Sequence, residues 1–206
     1  MESPTGLCYR GRMMNALLAI GTLASLLVGW ESPAEAMVVV KRDFPALVAR
    51  AEQIVIGTVT DIDYDHDQSG APWTLVTFSD LSGLKGDVGD TFTLRLSGGP
   101  DGDRMVHVAD MPRFAVGERA VLFVAGNGRD ICPLVGVWQG RFRLRPAPEQ
   151  ATEMVEDDHG APVVGLHGRE LRRARSASTT PPLTLDNFRQ LIADELAHPT
   201  VAELPH

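Results

Sequence analysis

Four aspartates that alternate along one short stretch are the residues best suited to hold a metal ion. They are Asp61, Asp63, Asp65 and Asp67. Alternate side chains of a straight strand share one face, and hard cations such as calcium prefer clustered carboxylate oxygens. The spacing is not that of an EF-hand, because Gln68 and Thr74 stand where that loop needs its glycine and its last glutamate. We expect a solvated strand end here, with a weak calcium site as the alternative.

A serine in a glycine-rich tract is the clearest candidate nucleophile. Ser97 precedes Gly-Gly-Pro, as in the nucleophile loop of serine proteases, but Arg95 and Leu96 stand where that loop has Gly-Asp. A catalytic serine needs a base and an orienting acid around it, and the sequence has no G-x-S-x-G elbow. We expect a turn at Ser97, and we expect this serine not to converge with His107 and Asp110.

The histidines and the cysteine outside the leader give no zinc pattern. No two histidines have H-x-x-x-H spacing, and Cys132 has no nearby cysteine. Cys132 is expected to be a small buried apolar residue, with a reactive thiol or an intermolecular bridge as the alternative. Trp73 and Trp138 are expected in core packing rather than as a ligand platform. No cofactor is expected apart from the calcium alternative.

The N-terminus has the features of a secretory signal peptide. Arg10 and Arg12 precede an apolar run over 15–30, and Ala34-Glu35-Ala36 matches an A-x-A cleavage site. The apolar run is too short for a comfortable membrane span. We therefore expect a periplasmic or secreted protein that begins at Met37 and keeps no stable membrane span.

The formal net charge of −8 makes the chain acidic. An acidic surface is repelled by nucleic acid and by anionic lipid, so neither is an expected partner. The single cysteine that remains after cleavage excludes an internal disulfide framework.

The stretch 112–145 has the densest apolar sequence outside the leader. The run Ala120–Ala125 has no polar alternation and predicts a strand buried on both faces. A second strand is predicted over Leu134–Trp138, joined by a Gln-Gly hairpin turn to a third over Arg141–Arg145. The row Arg141, Arg143 and Arg145 predicts a solvated strand face, with an anion patch as the alternative.

Further strand-like segments precede this stretch at short spacing, separated by glycine-rich turns. They are Gln53–Tyr64, Trp73–Leu81, Thr91–Ser97 and Met105–Ala109. Short consecutive strands of this kind predict a mainly β protein with a small closed antiparallel barrel. A short helix capped by Asp43 is predicted before the first strand.

The chain divides into five predicted segments. They are a signal peptide over 1–36, an OB-like β-barrel over 37–145, an extra hairpin over 146–167, a flexible linker over 168–182 and an amphipathic helix over 183–198. The apolar stripe of the C-terminal helix is expected to pack on the barrel, and binding a partner is the alternative.

The segment 50–144 resembles netrin-like domains, an OB-fold family that includes the tissue inhibitors of metalloproteinases. The resemblance is in Ala51–Val59, in the strand ending in Leu84-Lys85-Gly86, and in Val116–Arg119 followed by AVLFVAG and Cys132. P-x-F-x-x-G-E-R and G-x-x-Q-G-x-F-R are similar to motifs of a group of bacterial exported proteins. The resemblance implies an OB-fold binding module.

The inhibitor mechanism of that family does not transfer to this chain. There, an N-terminal cysteine chelates the protease zinc, whereas the expected mature N-terminus here is Met37. We expect a non-enzymatic exported module that binds a protein or an envelope component. The alternatives are an inhibitor or accessory of a secreted metalloprotease, and a hydrolase with an unrecognised site.

Overall fold

The computed structural model describes residues 40–147, 152–174 and 180–200. The predicted signal peptide and the start at Met37 lie outside the described residues. The elements, in chain order, are α1 (Phe44–Arg50), β1 (Gln53–His66), β2 (Pro72–Lys85), β3 (Phe92–Ser97), β4 (Gly99–Asp101), β5 (Arg104–Val106), β6 (Arg119–Val124), a 3₁₀ turn (Val137–Gly140), β7 (Arg141–Pro146), β8 (Glu153–Asp157), β9 (Val163–His167), β10 (Glu170–Arg173) and α2 (Leu185–Ala197).

Six strands form one large antiparallel sheet in the order β3-β2-β1-β6-β7-β8. Two small ribbons, β4 with β5 and β9 with β10, stand apart from it. The prediction of a mainly β protein is therefore confirmed. Within the described ranges, no strand pairing joins the outer strands β3 and β8.

The central strand β6 is buried on both faces, as its sequence predicted. On one face, Val121 and Phe123 join a core that includes both helices. On the other face, Leu122 and Val124 pack with apolar residues of β2 and β3. Because both faces of β6 are buried, neither face requires polar side chains, and this explains the continuous apolar run.

Helix α1 begins at a capped N-terminus. The Asp43 carboxylate accepts a hydrogen bond from the Ala46 N–H at 2.9 Å, and Arg169 Nε donates to its second oxygen at 2.6 Å. Burial raises the pKa of Asp43, but the hydrogen bonds from Arg169 and Ala46 outweigh it and leave the pKa lowered. This one carboxylate thus starts the helix and ties it to the turn between β9 and β10.

The Leu84-Lys85-Gly86 motif secures the other end of α1. Lys85 Nζ donates to the carbonyls of Val48 and Ala49, at 2.8 and 3.1 Å, and so caps the helix C-terminus. Gly86 has φ +74°, and a Cβ there would lie 2.8 Å from the Glu52 carbonyl oxygen. Burial lowers the pKa of Lys85. The motif therefore has a structural role in this chain.

The strand predicted over Leu134–Trp138 is wrong. Leu134 makes an isolated bridge to Val124, after which Gly136 and Val137 take left-handed conformations and a 3₁₀ turn follows. The predicted Gln-Gly hairpin turn is therefore absent. The Gln139 side chain instead accepts from the Arg42 N–H at 2.7 Å and donates to the Val40 carbonyl at 3.0 Å.

The segments after β7 also differ from the prediction. The extra hairpin is formed only at its turn, where Glu156 bridges Pro162 and the Asp157 N–H donates to the Ala161 carbonyl at 2.9 Å. Beyond the turn, β8 pairs with β7 in the large sheet and β9 pairs with β10. Strand β10 lies inside the predicted linker over 168–182, part of which falls outside the described residues. Met105–Ala109 is a strand only as far as Val106.

The C-terminal helix is present as α2, with the Thr184 hydroxyl as its N-cap. Its buried side chains are Leu185, Phe188 and Ile192, and they pack in the core on the helix-covered face of the sheet. Neither this helix nor α1 is long and apolar enough to cross a membrane.

Candidate functional site

A cavity of about 630 Å³, which we term the end cavity, lies between the large sheet and the segment that follows β4. The walls come from β1, β2 and β3 on one side and from residues 105–114 on the other. Its volume is within the range of small-molecule sites in proteins. The sequence did not predict it, because its two walls come from separate parts of the chain.

The cavity has an apolar floor and several exposed apolar residues at its rim. Val76 and Leu96 line it and belong to the core between the sheet and this segment, and Met111 and Phe114 pack against that core. The exposed large hydrophobic residues at the rim are Tyr64, Met105 and Val106, with 48%, 50% and 38% of their surface accessible. Exposed apolar side chains gathered around a concavity are typical of binding sites.

Backbone turns shape both walls of the cavity. Gly98 has φ +104°, and a Cβ there would lie 2.9 Å from the Val106 carbonyl oxygen, so the chain passes close to β5. On the opposite wall, the Met111 N–H donates to the Val108 carbonyl at 3.3 Å in a turn where Asp110 has φ +58°. The Thr74 hydroxyl donates to the Gly98 carbonyl at 2.8 Å and fixes the first wall.

Ser97, His107 and Asp110, which we expected not to converge, all line the end cavity. They share its walls because the glycine turn after β3 brings residues 105–110 back over the strand end. In the part of the chain that the structure describes, no side-chain hydrogen bond joins any two of the three. His107 and Asp110 are exposed to solvent. The set therefore lacks the connected geometry of a catalytic triad.

The aspartate row does not form one cluster. Asp61, Asp63 and Asp65 are exposed along β1, and the carboxylates of Asp63 and Asp65 accept hydrogen bonds from the N–H of the following residue. Across residues 40–147, 152–174 and 180–200, no three His, Cys, Asp or Glu side chains are grouped to hold a metal ion. A calcium site on this row stays a prediction.

Asp67 has a separate role in the loop between β1 and β2. Its carboxylate accepts from the Ser69 hydroxyl at 2.6 Å and from the Trp73 indole N–H at 3.2 Å. The Ser69 and Trp73 side chains, together with backbone N–H donors, hold the pKa of Asp67 well below its usual range. The Arg95 guanidinium lies 4.1 Å from the centre of the Trp73 ring. Trp73 is thus part of the loop structure.

Arg141 is buried, with 3% of its surface accessible, so the prediction of a solvated arginine row is wrong at this position. Its guanidinium donates to the carboxylates of Glu118 and Asp158, the second at 2.6 Å. It also stacks over the Phe114 ring, with its central carbon 4.2 Å from the ring centre. Arg145, in contrast, is exposed at the end of the same strand. We term these four residues, Glu118, Asp158, Arg141 and Phe114, the Arg141 cluster.

The Arg141 cluster joins residues from two of the sequence motifs. Phe114 and Glu118 belong to P-x-F-x-x-G-E-R, and Arg141 stands at the variable position before Phe142 in G-x-x-Q-G-x-F-R. Phe114 also lines the end cavity, so the Arg141 guanidinium packs against a residue of the cavity wall.

Cys132 is half-buried against the core beneath the end cavity. Burial, with smaller effects from Asp158 and Asp130, raises the pKa of the Cys132 thiol to about 11. The thiol is therefore protonated at neutral pH, which disfavours the reactive-thiol alternative.

No known family model matches this chain, and no curated protein or solved structure is significantly similar to it.

Proposed function

We propose that this protein is an exported, non-enzymatic binding module and that the end cavity is its ligand site. The observation that carries the proposal is the combination of a cavity of about 630 Å³ with an apolar floor and three exposed apolar side chains at its rim. Such a rim exposes apolar surface to water in the free protein, and a bound ligand covers it.

The polar groups of the cavity favour binding over catalysis. Ser97, His107 and Asp110 stand on its walls without hydrogen bonds to one another in the described residues. General-base activation of a serine requires the base within hydrogen-bonding reach. Polar groups spread singly around an apolar pocket instead fix the orientation of a ligand. The hydrolase alternative predicts an esterase or protease activity that Ser97→Ala abolishes.

The proposed export follows from the signal-peptide pattern at the N-terminus, with Ala34-Glu35-Ala36 as the cleavage site. A periplasmic or extracellular module would take its ligand from the envelope or the medium, whether that ligand is a small molecule or part of a protein. The metalloprotease-inhibitor alternative would need a surface other than a chelating N-terminus.

The scaffold of the proposed module is a small OB-like barrel, similar to netrin-like domains. A loop, rather than a strand pairing, closes this barrel between β3 and β6. Support comes from the outer edge of β3, where the Ser97 N–H donates to the Ile131 carbonyl at 2.8 Å. The Asn127 amide donates to the Thr93 carbonyl at 2.8 Å and accepts from the Arg95 N–H at 3.0 Å.

The same loop also reaches the far side of the gap. The Ala125 N–H donates to the Pro133 carbonyl, and the Val135 N–H donates to the Phe123 carbonyl, both at 2.9 Å. The segment 127–135 therefore bonds to β3 with one part and to the end of β6 with the other. Because β6 pairs with β1 and β1 with β2, these hydrogen bonds support the proposal that the loop closes a ring around the core under the end cavity.

Loop closure predicts that Asn127→Ala will open the edge of β3. The change removes both hydrogen bonds of the Asn127 amide, so we expect the amide of Arg95 to exchange hydrogen at least about tenfold faster. Asn187→Ala, at an exposed position on α2, is the matched control and should leave this exchange unchanged. Equal exchange rates in both variants would refute closure by this loop.

The ligand-site proposal predicts that filling the cavity will block binding. Ala109 lines the end cavity and is exposed, so Ala109→Trp should occupy it without disturbing the core. We expect the apolar fluorophore anilinonaphthalene sulfonate to bind the natural chain at one saturable site, and the variant at least about tenfold more weakly. Ala193→Trp, exposed on α2, is the control. Identical titrations for both variants and the natural chain would contradict the proposal.

A further inference from the structure

Three side chains on the wall of the end cavity have donor atoms that suit a soft metal ion. They are the thioether sulfurs of Met105 and Met111 and the imidazole of His107. Methionine is ordinarily among the most buried residues, yet half of the Met105 surface is accessible. His107 is exposed, and no hydrogen bond to its side chain occurs among the described residues.

The local backbone brings these donors to the same cavity. Met105 is in β5, and the chain leaves the strand directly after Val106. Both Met105 and His107 line the cavity, as does Val106 between them. The turn closed by the Met111 N–H and the Val108 carbonyl, at 3.3 Å, keeps Met111 on the cavity wall as well. All three line the same cavity as a result.

The identity of the donors selects the metal. Thioether sulfur is a soft ligand that favours Cu(I), and imidazole also suits copper. Two neutral sulfurs are poor ligands for calcium and magnesium, which require oxygen. Asp110 also lines the cavity, and its carboxylate would offset the single positive charge of Cu(I).

We propose that Met105, His107 and Met111 form a Cu(I)-binding site at the end cavity. The three residues hold the ion by two sulfurs and one nitrogen. The copper site does not depend on an organic ligand. A negative fluorophore titration would therefore count only against the ligand-site proposal, and a negative copper titration only against the copper-site proposal.

The test is an anaerobic titration of the full chain with Cu(I) against a chromophoric Cu(I) chelator. We expect one tightly held equivalent that the double substitution Met105→Leu with Met111→Leu weakens by more than about tenfold. His107→Ala is expected to weaken it as well. Met154→Leu, on β8, and His167→Ala, on β9, are matched controls away from the cavity and should not change the affinity.

X-ray absorption at the copper edge gives a second readout that loss of folding does not mimic. Sulfur and nitrogen neighbours of copper are expected in the natural chain, and the sulfur signal should disappear in the double methionine variant while the urea unfolding midpoint stays the same. Two results would overturn the proposal. One is the absence of a tight equivalent, and the other is a tight equivalent that Cys132→Ser removes and the methionine substitutions do not.

Discussion

Replacing Arg141 by alanine is expected to lower the free energy of unfolding by about 3–5 kcal/mol. The side chain is 3% exposed and separates two carboxylates, those of Glu118 and Asp158. Without the guanidinium, both carboxylates stay largely buried, and Glu118 keeps only the more distant Arg143, with its Nε at 3.7 Å. Removing one partner from a buried ion pair costs more than the pair itself contributes, because the remaining charge is left uncompensated.

Arg145→Ala is the matched control for this prediction. Arg145 lies on the same strand with half of its side chain exposed, and it pairs with Glu156 at 3.3 Å. An exposed pair of this kind contributes roughly 0–1 kcal/mol. Urea unfolding at neutral pH, followed by circular dichroism, measures both variants. A loss below about 1 kcal/mol for Arg141→Ala would mean that the two carboxylates find water or another cation, and that the Arg141 cluster is not a buried network.

A further consequence of Arg141→Ala concerns the end cavity. The guanidinium supports the Phe114 ring, which lines the cavity. We therefore expect weaker fluorophore binding in this variant even under conditions where it stays folded, because a wall of the cavity loses its support. Weaker fluorophore binding would thus link the Arg141 cluster to the end cavity, which the sequence did not predict.

The arginine row illustrates what alternation in a sequence does and does not predict. Alternation correctly predicted strand β7 and placed Phe142 and Leu144 in the core. It could not distinguish a solvated arginine from a buried one, because the partners of Arg141 are 23 and 17 residues away in the chain. Pairing over such distances depends on sheet order, which a single strand does not encode.

The end cavity was beyond sequence reasoning for a similar reason. Strands β1, β2 and β3 were each predicted from strand-like apolar segments, and each is present. The segment 107–114 has no regular pattern, and its position depends on turns at Gly98 and at Asp110. A turn at Ser97-Gly98 was predicted, but the direction in which it sends the chain is a tertiary property. The donors Met105, His107 and Met111 therefore had no recognisable spacing.

Replacing Phe188 by alanine is the second change with a large expected effect, a loss of about 3–5 kcal/mol of unfolding free energy. Phe188 is fully buried near the N-terminus of α2. Its ring lies within 6.5 Å, centre to centre, of the rings of Phe44, Phe123 and Phe142, the closest being Phe142 at 4.9 Å. Deleting it leaves a cavity between α1, the sheet and α2, and removes three aromatic contacts.

This prediction decides between the two roles that the apolar stripe of α2 allowed, packing on the sheet or binding a partner. If the apolar face of α2 served to bind a partner, the helix would contribute little to the stability of the free protein. Phe188→Ala would then lower the unfolding free energy by less than about 1 kcal/mol. A helix that completes the core gives the full loss. Asn187→Ala, at the adjacent exposed position, should change stability by less than about 0.5 kcal/mol, and urea unfolding of both variants makes the comparison. Because Leu185 and Ile192 are buried beside Phe188, we expect the full loss of about 3–5 kcal/mol. The apolar stripe of α2 then belongs to the core, and the end cavity is the surface that we propose binds ligands.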